Sequence, residues 1–271
     1  MLRELTFYCH RHLTIPQARQ LRKLAGLFRS KLLLVNLTRR QQADPEQLLA
    51  LLTVAASHGD LCQLVIEGPD AELAHMVFTS WVTDLGHQLG QRRADFTPTL
   101  VRLARFQPDI CFTPAMLRIS RESLDKASAL SSLVALLPDS TQRDPDALLA
   151  ALNAREAIAS TMMRTGLAMP HAVSESVRQP ALALLWSAQE IEWGSALGSA
   201  QLLLLMVAPK GNRECLKPLA RLVQSLLDPC ISDALLRASS DSARHAIVAE
   251  ALIHPAGSTP GTDSASPPSS V

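Results

Sequence analysis

The chain has 271 residues, 47% hydrophobic and 19% charged, which is enough apolar material for two packed domains and too much for a disordered protein. Lys plus Arg number 26 against 25 Asp plus Glu, a net charge of +1, and the absence of a basic face or stripe argues against a nucleic-acid partner. Nothing approaches the roughly 18 uninterrupted apolar residues of a membrane span, and the N-terminal MLRELTFYCHRH lacks the apolar core and cleavage site of a secretion signal.

The five cysteines, Cys9, Cys62, Cys111, Cys215 and Cys230, are scattered and form no CxxC pair. A reducing cytoplasm is expected, with no disulfide framework and no metal or other cofactor.

Leu5–Cys9 (LTFYC) reads as a first strand, and Pro16 opens a helix whose apolar Leu21, Leu24, Ala25 and Phe28 fall at helical spacing. Lys31–Leu37 (KLLLVNL) is a second strand. Asp44-Pro45 then starts a second helix, LLALLTVAA, with Asp as cap and Pro in the first turn. Leu61–Glu67 (LCQLVIE) is a third strand, followed by a helix from about Asp70 to Leu85. This β-α-β-α-β-α order within residues 1–88 predicts an open-faced α+β sandwich. Residues 89–111, rich in arginine and broken by prolines, read as a linker.

A second domain over 112–254 opens with helices through Ser123–Leu136 and from Asp144-Pro145 to about Glu156. Two apolar strands follow, Ala181–Trp186 (ALALLW) and Leu202–Val207. After them come a long helix with Cys215 in its first turn and two short ones, Ser232–Ala238 and Ser242–Leu252. Strands alternating with helices predict α/β layers. Residues 255–271, PAGSTPGTDSASPPSSV, have nothing to bury and are expected to be a disordered tail.

The stretch Arg155 to Ala172, REAIASTMMRTGLAMPHA, resembles the phosphorylation-site motif of the fructose/mannitol-type enzyme IIA (EIIA) of the bacterial phosphoenolpyruvate:sugar phosphotransferase system (PTS). Arg155-Glu156, Ser160-Thr161, Gly166 and Ala168-Met169-Pro170-His171-Ala172 carry the resemblance, and PALALLWSAQEIEWGSALGSAQLLLLMVAP extends it. It implies an EIIA type-2 domain with a mixed sheet flanked by helices. The first domain is similar to the phosphocarrier HPr, through HLTIPQA and PEQLLALLTVAASHGDLCQLVIEG.

The EIIA resemblance makes His171 the phosphorylated nucleophile, for which a neutral imidazole with one free nitrogen suits cytoplasmic pH. It makes Arg155 the phosphate-stabilising cation, its planar fork matched to two phosphoryl oxygens, and Thr161 a hydroxyl donor. Pro170 fixes its own φ and biases Met169 to extended geometry, aiming His171 out of a strand end.

Two positions depart from the family pattern. Arg164 stands where the family has a small residue, and Cys215 occupies the place of its second active-site histidine, in the setting Glu214-Cys215-Leu216. The HPr resemblance departs further. Aligning Thr14 and Pro16 puts Leu13 where the phosphorylated histidine belongs and Ile15 where its arginine belongs, leaving His12 adjacent but out of register. The family's regulatory serine position falls on Gln47. This domain therefore reads as a retained fold with a degenerate site, and its helix from Pro16 to Phe28, with Arg19, Arg22 and Lys23, as a docking face.

The implied function is a cytoplasmic PTS phosphocarrier. It would accept a phosphoryl group from HPr or an HPr-like donor and pass it to the EIIB cysteine of a fructose-type permease, meeting the membrane only through that permease. The linker is too short to hold an enzyme I domain, so the donor is external. The alternative is a PTS-linked regulatory or interaction protein with little or no transfer. A Cys-His hydrolase of Cys215 and His171 has the residue types but no nucleophile-loop signature.

Overall fold

The computed structural model describes residues 1–54 and 56–254, so the expected tail at 255–271 lies outside the described residues. In the first domain the chain runs β1 (Leu2–Cys9), α1 (Ile15–Ala25), β2 (Lys31–Asn36), β3 (Gln41–Ala43), α2 (Leu48–Thr53), β4 (Leu61–Glu67), α3 (Ala71–Leu85) and β5 (Gly86–Gln88). The strands form one antiparallel sheet in the order β3-β2-β4-β1-β5. α1 begins where Thr14 and Gln17 form a capping box with Pro16 in the first turn, which satisfies backbone N–H groups that the helix cannot.

Alternate residues of each strand point to opposite faces. Leu5, Phe7 and Cys9, with Leu32, Leu34, Leu64 and Ile66, pack against Ala18, Leu21, Phe78 and Trp81 of α1 and α3. The open face of this sandwich is not free, because Tyr8, Val35, Leu61 and Val65 on it are buried in a second core shared with the rest of the chain.

The stretch expected as a linker holds a 3-10 turn at Arg93–Phe96 and a helix, α4 (Thr97–Phe106), started by Pro98. Leu103 of α4 enters the shared core, and Arg102 pairs with buried Glu250 at 3.0 Å while lying over the Tyr8 ring.

The second domain then runs β6 (Leu117–Ser120), α5 (Lys126–Ala135), α6 (Pro145–Ile158), β7 (Met162–Arg164), β8 (Gly166–Ala168), β9 (His171–Ser174), β10 (Ala181–Ser195), β11 (Gly198–Pro209), α7 (Leu216–Leu226), α8 (Pro229–Arg237) and α9 (Asp241–Ile253). Its sheet has the order β6-β10-β11-β8-β7, with β9 on β11 beside β8. β10 and β7 pair antiparallel to their neighbours β11 and β8, whereas β6, β8 and β9 pair parallel, so the sheet is mixed as expected. The run Leu202–Val207 is buried on both faces: Leu203, Leu205 and Val207 meet α5 and α6, and Leu202, Leu204 and Met206 meet α7 to α9.

The result is five layers: α1 to α3, the first sheet, a shared layer of α4 and α7 to α9, the second sheet, then α5 and α6. Five large apolar side chains of the first domain, Tyr8, Val35, Leu37, Leu61 and Val65, are buried at this joint. At about 2 kcal/mol each, their burial is worth on the order of 10 kcal/mol. A joint this apolar is unlike the more polar contacts across which domains move. Polar bonds fix the register of the joint. Glu4 Oε1 accepts from Ser239 N and Oγ at 2.8 and 2.7 Å, and Gln63 Nε2 donates to Ala234 O at 3.1 Å.

Candidate active site

β8 and β9 lie one after the other along the same edge of β11, with Ala168 opposite Leu203 and His171 opposite Met206. Met169 and Pro170 separate them. Proline has no N–H to continue the ladder, so pairing breaks there and restarts at His171. Pro170 O still accepts from Met206 N at 3.0 Å. The break presents the His171 ring, partly exposed, at a sheet edge close to α6.

The two ring nitrogens have different partners. Nδ1 lies 2.9 Å from Met169 O, and Nε2 lies 3.0 Å from Arg155 Nε. A carbonyl only accepts and a guanidinium only donates. Nδ1 therefore carries the proton, and Nε2 presents its lone pair to the arginine. Arg155 sits in the last turn of α6, where a cation suits the helix C-terminus, and its Nη1 donates to Ala159 O at 3.0 Å. The structure thus brings together Arg155 and His171, 16 positions apart in the chain.

Thr161 is placed otherwise than a hydroxyl donor to a phosphoryl group requires. Its hydroxyl proton goes to Glu156 Oε2 at 2.5 Å, and its oxygen accepts from Trp193 Nε1 at 3.3 Å. Its one donor is spent inside the protein. Glu156 Oε1 accepts from Thr161 N and from Lys126 Nζ, each at 3.0 Å. Burial pushes the Glu156 carboxyl up, but the bonds from Thr161 and Lys126 outweigh it and hold it below its usual range.

Cys215 sits at the start of α7. Its Sγ–H donates to Asn212 O at 2.9 Å, and burial raises its pKa. The thiol keeps its proton, and its sulfur faces the backbone. The hollow beside His171, about 310 Å³, is lined instead by apolar groups, among them Val173, Met206, Leu219 and Val223. Two larger hollows, about 890 Å³ by Phe96 and Leu100 and about 480 Å³ by Arg19 and Arg22, include no histidine or cysteine in their walls.

Arg164, an unexpected charge in the active loop, is tied to α8, with Nη1 at 2.7 Å from both Ser232 Oγ and Asp233 Oδ1. In the first domain, His12 is exposed while Leu13 packs against the helical core. Gln47 directly precedes α2 without capping it through its side chain. Three other histidines meet near that loop, His58 Nδ1 lying 2.8 Å from His10 O and the rings of His10 and His87 stacking at 6.4 Å. Sequence alone assigns no role to Glu156, Lys126 or Trp193. The signal available was Glu156 beside Arg155 in the motif itself.

Among the described residues no helix is long and apolar enough to cross a membrane, and no group of three His, Cys, Asp or Glu is placed to hold a metal ion.

The fold is an HPr-like domain followed by an EIIA-type domain. The family model described as "Phosphoenolpyruvate-dependent sugar phosphotransferase system, EIIA 2" matches residues 111–251, and the chain belongs to that family. The model described as "PTS HPr component phosphorylation site" matches residues 3–83.

The chain is 32% identical over 130 residues to the PTS system fructose-specific EIIA component of Haloferax volcanii, covering 47% of this chain and 84% of that protein. It is 31% identical over 134 residues to the PTS system fructose-specific EIIABC component of Bacillus subtilis, covering 48% of this chain and 21% of the larger protein. Nitrogen Regulatory Protein IIA-Ntr from Neisseria meningitidis superposes with a TM-score of 0.46 at 20% identity, covering 55% of this chain and 99% of that one.

Proposed function

We propose that this PTS protein is a cytoplasmic phosphoryl carrier whose working nucleophile is His171 Nε2, within a carrier domain over 112–254 that follows a non-transferring HPr-like domain over 1–88. The observation that carries the reading is the fixed tautomer, with Nδ1–H on Met169 O and the Nε2 lone pair beside the Arg155 guanidinium.

In the forward step Nε2 attacks the phosphorus of a phospho-HPr-type donor. The P–Nε2 bond forms as the donor's own P–N bond breaks. Arg155 N–H leaves the nitrogen for a phosphoryl oxygen, so its charge meets the dianion as negative charge is delivered. The ring, now cationic, keeps its Nδ1–H on the Met169 carbonyl, which offsets that charge. In the return step an EIIB thiolate attacks the phosphorus, the P–Nε2 bond breaks, and the neutral imidazole is restored. The names of the two curated relatives support fructose or a related sugar as the cargo phosphorylated downstream.

The test is phosphorylation of the purified chain by phosphoenolpyruvate, enzyme I and HPr, beside His171→Ala and His12→Ala. Acid-labile phosphate lost only in His171→Ala is the expected result. Labelling that survives His171→Ala, or no labelling at all, overturns the carrier reading. In the second case a regulatory or interaction protein is left, a reading favoured by Cys215, whose thiol turns to Asn212 O and offers no second acid-base group.

A further inference from the structure

The last turn of α6 reaches the His171 ring by two routes. Arg155 touches Nε2 directly. Its neighbour Glu156, buried, sends all its hydrogen bonds elsewhere. Oε1 takes Thr161 N and Lys126 Nζ at 3.0 Å each, and Oε2 takes the Thr161 hydroxyl at 2.5 Å. Trp193 closes the cluster, its Nε1 donating to Thr161 Oγ1 at 3.3 Å and its carbonyl accepting from Lys126 Nζ at 2.9 Å. Thr161 is therefore held through both its amide and its hydroxyl.

Thr161 in turn holds the loop that carries the ring's acceptor. Its carbonyl takes Met169 N at 3.0 Å, and Met169 O takes the Nδ1 proton of His171 at 2.9 Å. A carboxylate removed from water in this way is costly unless every lone pair finds a donor. Here the donors are an ammonium, an amide and a hydroxyl, and the group stays ionised.

The tautomer depends on that carbonyl. If Met169 O moves away, only the Arg155 N–H facing Nε2 still favours the proton on Nδ1. A proton on Nε2 would remove the lone pair that attacks phosphorus and would point an N–H at the Arg155 N–H.

We propose that Glu156 is a positioning residue for phosphoryl acceptance, fixing the reactive tautomer of His171 through Thr161 and the Met169 carbonyl. The proposal deepens the carrier reading and rests on it for its functional meaning, but the ring itself can be read without any phosphate.

The experiment is imidazole ¹⁵N NMR of the unphosphorylated full chain, the His171 signals being assigned by their loss in His171→Gln, with the rate of phosphorylation by phospho-HPr measured alongside. In the unchanged protein Nε2 should give the shift of an unprotonated nitrogen and Nδ1 that of a protonated one. Glu156→Ala should move both shifts toward a mixture of tautomers and slow acceptance roughly tenfold, the effect of one charge-assisted bond lost. Glu156→Gln keeps an oxygen for Thr161 N and should restore most of both readouts.

Should Glu156→Ala not fold, Thr161→Val and Thr161→Ser carry the same test. Valine should shift the ring signals in the same direction and serine should not. Ring shifts unchanged in folded Glu156→Ala and Thr161→Val overturn the proposal, as does a folded Glu156→Gln no better than alanine. A chain that takes no phosphate while its tautomer still answers to Glu156 leaves the positioning intact and removes the carrier reading instead.

Discussion

Acid should weaken this protein through one buried histidine, His245. It lies in α9 with no exposed surface, and its Nε2 donates to Phe112 O at 3.0 Å. The rings of Phe112 and Phe96 pack on it with centroids at 4.5 and 5.5 Å, and Nδ1 has no hydrogen-bond partner among the described residues. Burial lowers its pKa from 6.5 to about 4, against the opposing pull of the Phe112 carbonyl.

The folded pKa is depressed, so the unfolded chain takes up the proton first. Stability is complete above about pH 6.5 and falls as pH drops toward about 4. A difference of about 2.5 pH units at about 1.4 kcal/mol each limits the loss to about 3 kcal/mol, with roughly 2.5 kcal/mol of it reached by about pH 4.5. Urea unfolding followed by tryptophan fluorescence at those two ends of the range measures it. His245→Gln keeps an N–H for Phe112 O and cannot titrate, so it should lose that much less stability between neutral and acid pH. Equal losses in the two proteins would refute the assignment to His245.

Two further predictions concern the joint and the odd cysteine. Arg40 holds a left-handed backbone (φ 55°) while its guanidinium bonds Asp228, Ser225 and His254 O across the domains. Arg40→Ala should cost about 2–3 kcal/mol and Arg40→Gly about 1 kcal/mol less, because glycine carries no penalty at that φ; a urea midpoint for the glycine variant at or below that of alanine contradicts this. Cys215, with its pKa raised by burial and its proton on Asn212 O, should resist iodoacetamide in the native protein and react on unfolding, and rapid native labelling would show the thiol to be accessible and ionised.

What could be read from the sequence follows from how local each signal is. Leu61–Glu67 has the limits expected of it, because a run of apolar residues fixes both a strand and its burial. Asp144-Pro145 starts α6 as expected, Asp144 accepting from Ala147 N. The same dipeptide at Asp44-Pro45 does not start a helix. There Asp44 accepts from Glu46 N in a tight turn, and α2 begins only at Leu48. Strands β3, β5, β7, β8 and β9, three or four residues each, exist only through their partners and leave no periodic trace. α4 was legible in principle, from Thr97-Pro98 and from Leu103 four positions after Thr99, the two residues it buries. At the site, the motif marked Arg155 and His171 but not the direction of the Thr161 hydroxyl, which is set by Glu156 of the same motif together with Trp193 from a distant strand.

The joint explains the HPr-like domain better than its loop does. In KLLLVNL, Leu32 and Leu34 face the helices of their own domain, while Leu33 and Val35 face the other way and are covered by the second domain's helices. An open-faced sandwich exposed to water would carry polar residues on that second face, so a run apolar on both faces already implies a cover. The cover is α9 together with α8, and α8 also grips the active loop through Ser232, Asp233 and Arg164. None of these contacts involves the residues at Leu13 and His12, so the first sheet supports the second domain whether or not its own loop carries an imidazole. A chain packed in this way can lose the nucleophile of its first domain at no cost to its core, whereas a polar substitution at Val35 or Leu61 would strike both domains together.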